Sequence, residues 1–189
     1  MIFDEFPYLE NESLILKKPS IEDLPLFESM VKDKDVYSYE PTFLPELRSN
    51  SSREFLEKDN EALFERKECI VLGIYSKGAH FRFIGLAEIY GYSNRRSKVS
   101  IGYRLIKEVW NRGIGTVVVS ILKDYIINQL DIKRITAHVL IENVASKKCL
   151  IKNGFVQRRP EHEEDWGYPN KIIAVKYVYY SDLDDLGAL

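Results

Sequence analysis

From Val99 to Ile106 apolar and polar side chains alternate, so that Val99, Ile101, Tyr103 and Leu105 share one face, the period of a strand. After Gly113 the period changes. Thr116, Ser120, Lys123, Asp124, Asn128 and Asp131 fall mostly at intervals of three and four. Ile114, Val118, Ile121, Leu122, Tyr125 and Ile126 fill the rest, which predicts a helix with one wide buried face. Val117 to Val119 favours strand by propensity, but the polar stripe is long enough to overrule it.

The flanking segments follow the same logic. Leu14 to Pro19 predicts a short strand halted by proline. A helix then runs to about Val31, capped by Ser20 or by Asp23; the second choice puts Pro25 in its first turn. Residues 32–50 hold Pro41 and Pro45, lack a clean period and predict a loop. Ser51-Ser-Arg-Glu54 has the form of a capping box for a helix to about Arg66. Cys69 to Tyr75, Phe83 to Tyr92 and Val99 to Ile106 predict an antiparallel meander with turns at Ser76-Lys-Gly78 and Ser93 to Ser97. Lys133 to Ile141 predicts a buried strand. Asn143 opens a further helix that Gly154 ends, and strands follow near Phe155-Val156 and from Lys171 to Tyr180. The order β-α-α-β-β-β-α-β-α-β-β predicts one mixed α/β domain over residues 1–189.

Composition narrows the partners. With 27 basic and 29 acidic residues the net charge is -2, which leaves no basic face for nucleic acid. Asp4, Glu5, Glu10 and Glu12 crowd the start, and no run approaches the ~18 apolar residues of a membrane span. The expectation is a cytoplasmic protein, monomeric or homodimeric, with no membrane or nucleic-acid partner. Cys69 and Cys149 read as buried free thiols. His80, His138 and His162 stand apart in sequence, so no metal site is expected.

The chemistry concentrates in Lys107-Glu-Val-Trp-Asn-Arg-Gly-Ile-Gly-Thr116, between the alternating strand and the long helix. Two glycines let the chain turn so that successive N–H groups point at one anion, and the helix start adds its dipole. Arg112 could add a direct phosphate contact. A Gly-x-Gly turn is also a common tight connection. A dinucleotide fingerprint would place a third glycine at Val118, and a P-loop would end in Gly-Lys-Ser/Thr; neither is present.

IGYRLIKEVWNRGIGT, followed by a helix, a strand and NVASKKCLIKNGF, resembles the GNAT superfamily of acyl-CoA-dependent N-acyltransferases, in particular its Rim-type ribosomal-protein branch. The core of the resemblance runs from Phe83 to Phe155. Gly113 and Gly115 match two positions of the family's pyrophosphate motif and Trp110 stands at the first, as is common in the Rim-like branch. Asn143, Ser146, Gly154 and Phe155 match the second motif. The resemblance implies a strongly twisted mixed sheet with helices on both faces, in which the strand before the turn carries a bulge and splays from its parallel neighbour. Acetyl-CoA is then the implied cosubstrate, with Leu105 and Ile106 at the pantetheine and Asn111, Arg112, Gly113, Ile114, Gly115 and Thr116 at the pyrophosphate.

The implied reaction is direct attack of an amine on the thioester, without an acyl-enzyme. Some branches protonate the leaving thiolate with a tyrosine at the position held here by Leu150. The resemblance to the Rim-like branch, where this serine lies near the sulfur, gives that task to Ser146; Ser146 is also well placed in the first turn of a helix capped by Asn143, which the resemblance lets both cap and contact the cofactor. Many relatives carry a glutamate at Ser100. The nearest acid is then Glu88, either general base or solvated strand carboxylate. A terminal α-amine titrates near ~7.7–8.0 and a lysine near ~10.4, so freeing the lysine near neutral pH costs roughly 4 kcal/mol; without a strong base an α-amine acceptor on a protein or peptide is favoured over small amines. Lys148 and Lys152 share a face that suits either the 3′-phosphate or solvent. Glu161, Glu163, Glu164 and Asp165 with Trp166 and Tyr168 form an acidic-aromatic patch, a seat for a cationic amine or a solvated loop. His138 alternates into the sheet as a core residue, and Tyr103 and Tyr177 to Tyr180 read as core or interface, or as tyrosines lining the acceptor cleft. A silent acyl-CoA sensor is the alternative to an enzyme.

Overall fold

The alternating segment becomes the centre of an eight-stranded sheet. The computed structural model describes residues 4–78 and 81–181, so His80 lies outside the described residues. The strands are β1 (Leu9–Glu10), β2 (Leu14–Lys17), β3 (Cys69–Ser76), β4 (Arg82–Ser93), β5 (Lys98–Leu105), β6 (Arg134–Leu140), β7 (Val156–Glu164) and β8 (Ile172–Tyr180), in the lateral order β1-β2-β3-β4-β5-β6-β8-β7. Neighbours are antiparallel except β5 and β6, which run parallel. A parallel pair needs a crossover, and helix α5 (Ile114–Asn128) supplies it.

The parallel ladder covers only Lys98↔Arg134, Val99↔Ile135 and Ser100↔Thr136, although the strands continue to Leu105 and Leu140. Beyond Ser100 each strand follows its other partner. β5 stays in register with β4 to Leu105↔Gly85, and β6 stays with β8 to Leu140↔Ala174, so sheet twist separates them. The expected splay is present. The expected bulge in β5 is not: its register with β4 is unbroken from Ser100 to Leu105, and the irregularity falls between Tyr90 and Ser93. The vertex of the splay is closed by hydroxyls. Ser100 Oγ lies 2.7 Å from Thr136 Oγ1, which also donates to the Val99 carbonyl at 3.2 Å, and both residues are buried.

Successive residues of β5 point to opposite faces, and both faces are covered. Tyr103 packs beneath Gly115 of α5, whose stripe of Val118, Val119, Leu122 and Ile126 is buried; α6 (Val144–Lys152) lies beside it. Arg104 faces the other layer, formed by α1 (Leu24–Lys32), α2 (Pro45–Arg48), α3 (Ser52–Glu54) and α4 (Asn60–Glu65), the last two joined through a π turn at Phe55–Asp59. Phe27 anchors that layer, its ring 5.5 Å from Phe55 and 6.0 Å from Phe83. No helix among the described residues is long and apolar enough to cross a membrane.

The departures from expectation have local causes. The loop expected at 32–50 contains α2, which starts on Pro45, where a missing N–H costs nothing. Ser20 heads a short 3₁₀ turn and α1 starts at Leu24, so Pro25 does fall in the first turn. Ser51 caps its helix by accepting from the Glu54 amide at 3.1 Å, but the Glu54 carboxylate is held by Asn50 and does not close the box. β7 extends to Glu164 because it is the edge strand: its mostly polar residues are largely exposed, so hydrophobic alternation is absent.

Replacing Thr136 by Val should leave the Ser100 hydroxyl buried without a partner and lower stability by about 1–3 kcal/mol. The double variant Ser100→Ala/Thr136→Val should recover part of that loss in a chemical-denaturation series.

Candidate active site

The turn after β5 is an anion nest. Asn111 and Gly113 have φ of +59° and +78°, two left-handed positions one residue apart, a geometry that turns successive amides toward one point. Among the described residues no backbone N–H from Asn111 to Gly115 donates a hydrogen bond; the next amide, that of Thr116, already bonds to Gly113 O at 3.1 Å. These open donors sit at the positive end of α5. A Cβ on Gly113 would meet nothing within 4 Å, so the face of the nest is open to a ligand. Gly115 serves a different purpose from the expected turn. Its φ is not positive, and a Cβ there would come within 2.6 Å of the Tyr103 hydroxyl. Only glycine lets α5 settle onto that ring.

Trp110 is 39% exposed, and its indole donates to Leu105 O at 2.8 Å, tying the turn back to β5. The Ile106 amide is bonded to Ile84 O at 3.0 Å, and Ile106 is not among the cavity-lining residues, whereas Leu105 is. Because the Arg134 amide bonds to Ser97 O and alternation is strict, the backbone groups of Ile101, Tyr103 and Leu105 face the gap beyond the vertex. They have lost β6 as a partner; the Trp110 indole takes the Leu105 carbonyl, and a strand-like ligand could pair with the others. Arg112 is exposed beside the nest, and Lys148 and Lys152 line the same opening.

At the inner end of the gap Asn143 Oδ1 accepts the Ser146 amide at 3.0 Å, so Asn143 is the cap of α6. The Tyr103 hydroxyl lies against the Ser146 and Cys149 side chains, and all three line the cavity. Burial holds the Tyr103 phenol well above its ordinary range. Leu150 lines this end without a proton to give. Cys149, expected as a buried thiol, is half-buried on the cavity wall, and Thr116 donates to it at 3.4 Å; Cys69 is buried, and both are free. Tyr103 lines the cavity, the second of the two places its strand position allows.

The opposite end is acidic. Glu88, read as general base or solvated strand carboxylate, is not solvated: it is 6% exposed and lies across Gly102, where a Cβ would come within 2.5 Å of it. The buried Arg104 guanidinium holds it, with Nη1 3.6 Å from Glu88 Oε1 and Nε 2.5 Å from Oε1 of the equally buried Glu46. Tyr37 closes the cluster, donating to Glu46 at 3.1 Å with its ring centroid 6.0 Å from the guanidinium. Burial pushes the Glu88 carboxyl up, with Arg104 opposing and Glu46 adding to it. Glu40, half-buried on the cavity wall, is pushed up to about 8 by burial, against Arg104 and with the help of Glu88 and Glu46. Neither Glu40 nor Glu46 is suggested by the sequence, since both sit in the segment without periodicity.

The acidic-aromatic patch reaches the same cavity. Tyr168 donates to Glu40 O at 2.7 Å, and the Thr42 amide bonds to Trp166 O at 2.9 Å, stitching this segment to residues 37–42. Trp166 is buried and donates to Glu164 Oε2 at 2.8 Å. The histidines do not stand apart. His138 is half-buried on the cavity wall and lies with its Nδ1 2.5 Å from Glu164 Oε1, and His162 Nε2 lies 2.6 Å from the same oxygen. Burial pushes the His138 imidazole down, against the pull of Glu164. For Glu164 burial acts upward, but the bonds from Trp166 and His138 hold it below the usual carboxylate range.

One cavity of about 790 Å³ joins these parts, from the nest through the gap to Glu40, Glu88 and Glu164. An open amide nest, freed strand edges and an acid-lined far end suit a ligand with a pyrophosphate and an extended amide arm, such as coenzyme A, meeting a second substrate. The acetyltransferase (GNAT) domain family model matches residues 13–156, and the chain belongs to this family of N-acetyltransferases, which use acetyl-CoA as acetyl donor. It is 28% identical over 174 residues to the uncharacterized N-acetyltransferase YoaA of Bacillus subtilis (strain 168), covering 90% of this chain and 97% of that protein. The ribosomal-protein-S5-alanine acetyltransferase of Vibrio fischeri has the same fold, with TM-score 0.76, 17% identity, and coverage of 93% of this chain and 97% of that one. So has the spermidine N-acetyltransferase of Vibrio cholerae, solved with CoA and spermine, with TM-score 0.73, 17% identity, and coverage of 90% and 96%.

A Gly113→Glu substitution sets a carboxylate on the rim of the nest. The dissociation constant for CoA should rise at least about tenfold, or 1.4 kcal/mol, in calorimetric titration, with the fold intact by circular dichroism.

Proposed function

We propose that this enzyme, working in the cytoplasm, acetylates a primary amine, with a protein or peptide N-terminal α-amine as acceptor. The observation that carries the proposal is the pair of coupled carboxylates, Glu40 and Glu88, at the end of the cavity away from the nest. Three acids, Glu40, Glu46 and Glu88, around one permanent cation leave a negative surplus, which draws in an ammonium and then takes its proton. Arg104 orients Glu88 and opposes the upward pull of burial on it, whereas Glu40 has no ion-pair partner among the described residues and a carboxyl near pH 8, matched to an α-amine at ~7.7–8.0. The pair titrates as a unit, and the proton leaves through Glu40 directly or by one water.

The remaining tasks fall to the other end. Pyrophosphate rests on the amides of Asn111 to Gly115, with Arg112 and Lys148 at the rim, and the pantetheine arm runs along Leu105, Tyr103 and Ile101. A gap-facing backbone N–H of β5 is the donor to the developing oxyanion; one such donor is typically worth ~10²–10³ in rate. Ser146, backed by the Tyr103 hydroxyl, delivers the proton to the departing thiolate in place of the tyrosine absent at Leu150. A small polyamine is the second reading, favoured by Asp35, Glu164 and Asp165 on the same wall.

The test is thiol release from acetyl-CoA over a panel of N-terminal peptides, spermidine and lysine side-chain analogues, from about pH 6 to about pH 9, with products identified by mass spectrometry. Peptide α-amines should give the highest kcat/KM. Since Glu40 accepts a proton only when ionised, kcat should fall as pH drops below about 8. Glu40→Gln should remove that limb and lower kcat by ~10²–10⁴. A faster reaction with spermidine than with any peptide contradicts the acceptor, and an unchanged profile in Glu40→Gln contradicts the base.

A further inference from the structure

Three residues that the acetyl-transfer scheme leaves unused converge on one point. His138 Nδ1 on β6, His162 Nε2 on β7 and Glu164 Oε1 at the end of β7 all lie within 4.8 Å of one another. The strands are not neighbours, because β8 lies between them, so the side chains meet across it. All three are partly shielded from solvent.

Their hydrogen bonds set the direction of each lone pair. His162 Nδ1 lies 2.9 Å from the Pro160 carbonyl, which can only accept, so that nitrogen carries the ring proton. In the neutral ring Nε2 then presents a lone pair to a carboxylate oxygen 2.6 Å away. Two acceptors at that distance share a second ring proton, which a metal ion would replace as the pair opens to the wider spacing of zinc ligands, roughly 3.3 Å for a tetrahedral shell. Glu164 Oε2 is occupied by the Trp166 indole N–H, which turns Oε1 inward. A histidine whose other nitrogen donates to a carbonyl, and a carboxylate whose other oxygen is held, is the outer support that metal ligands usually have.

We propose that His138, His162 and Glu164 form a binding site for a divalent transition-metal ion of the zinc class. Two imidazoles and one carboxylate suit zinc, whereas magnesium and calcium prefer all-oxygen shells. Three protein ligands leave a fourth position open, and His138 and Glu164 line the cavity, so that position faces the acceptor end. Bound metal adds positive charge to a wall otherwise lined by Glu40, Glu88 and Asp165 and fastens the segment stitched to residues 37–42. If the acceptor is a cationic amine, as proposed above, zinc slows its acetylation; binding of the metal itself does not depend on that reading.

The experiment is calorimetric titration of tag-free, chelator-stripped protein with zinc chloride. Wild type should bind one ion per chain with roughly micromolar or tighter affinity and gain thermal stability. His162→Gln and Glu164→Gln, shown to be folded by unchanged CoA binding, should each weaken zinc at least tenfold. Binding of magnesium as tight as that of zinc, no saturable zinc site, or zinc binding unaltered in both variants would overturn the proposal. CoA binding and turnover are measured separately, so failure of the metal site leaves the acetyltransferase reading standing, and the reverse.

Discussion

Parallel strands ordinarily share hydrogen bonds along their length; β5 and β6 share them over three residue pairs and then part. The Ser100–Thr136 hydroxyl pair closes the ladder where it ends, and the separate loyalties of β5 to β4 and of β6 to β8 keep it open beyond. Everything chemical in the molecule follows from that parting. It leaves backbone groups of β5 without partners in the middle of a sheet, an arrangement that costs free energy until a ligand supplies the missing edge. It also directs the chain after β5 into the nest at the head of α5, so the freed edge of one strand runs on into the open amides of the turn.

The second constraint is electrical. Arg104 is buried with Glu46 and Glu88 around it and Tyr37 over it, and its charge cannot be removed by titration. Without the guanidinium, burial would favour neutral acids on this wall. With it, Glu88 is held in place, and Glu40 is left on the cavity wall without an ion-pair partner among the described residues. Arg104 adjoins Tyr103 in sequence, so one dipeptide of β5 organises both faces: Arg104 the acidic wall through Glu46, and Tyr103 the packing against Gly115 beside Ser146.

Much of the fold was legible because burial there has a simple period. β5 alternates, α5 carries a polar stripe, and the Asn143 cap and the turn at Gly113 have distinctive residues. The nest was readable from glycine spacing, although Gly115 proved to serve packing and Gly113 alone the turn. The acceptor end was not readable. Glu40 and Glu46 lie in a segment with no period, and their importance comes from Arg104, which is 64 and 58 residues away in sequence. Glu88 looked like a solvated residue because nothing in one strand reveals that a glycine opposite, Gly102, makes room for it. The meeting of His138, His162 and Glu164 depends on β8 inserting between β6 and β7, and on an edge strand whose exposed residues hide its length.

The central claim is that the parted strands and the nest together hold the acetyl donor. Residue-resolved amide hydrogen exchange with and without CoA tests it most directly. Binding should slow exchange at Asn111 to Gly115 and at the gap-facing amides of Tyr103 and Leu105, while the Ile106 amide, already bonded to Ile84, changes little. Saturation with CoA that leaves those amides exchanging at their free rates, with protection elsewhere in the chain, would contradict the account.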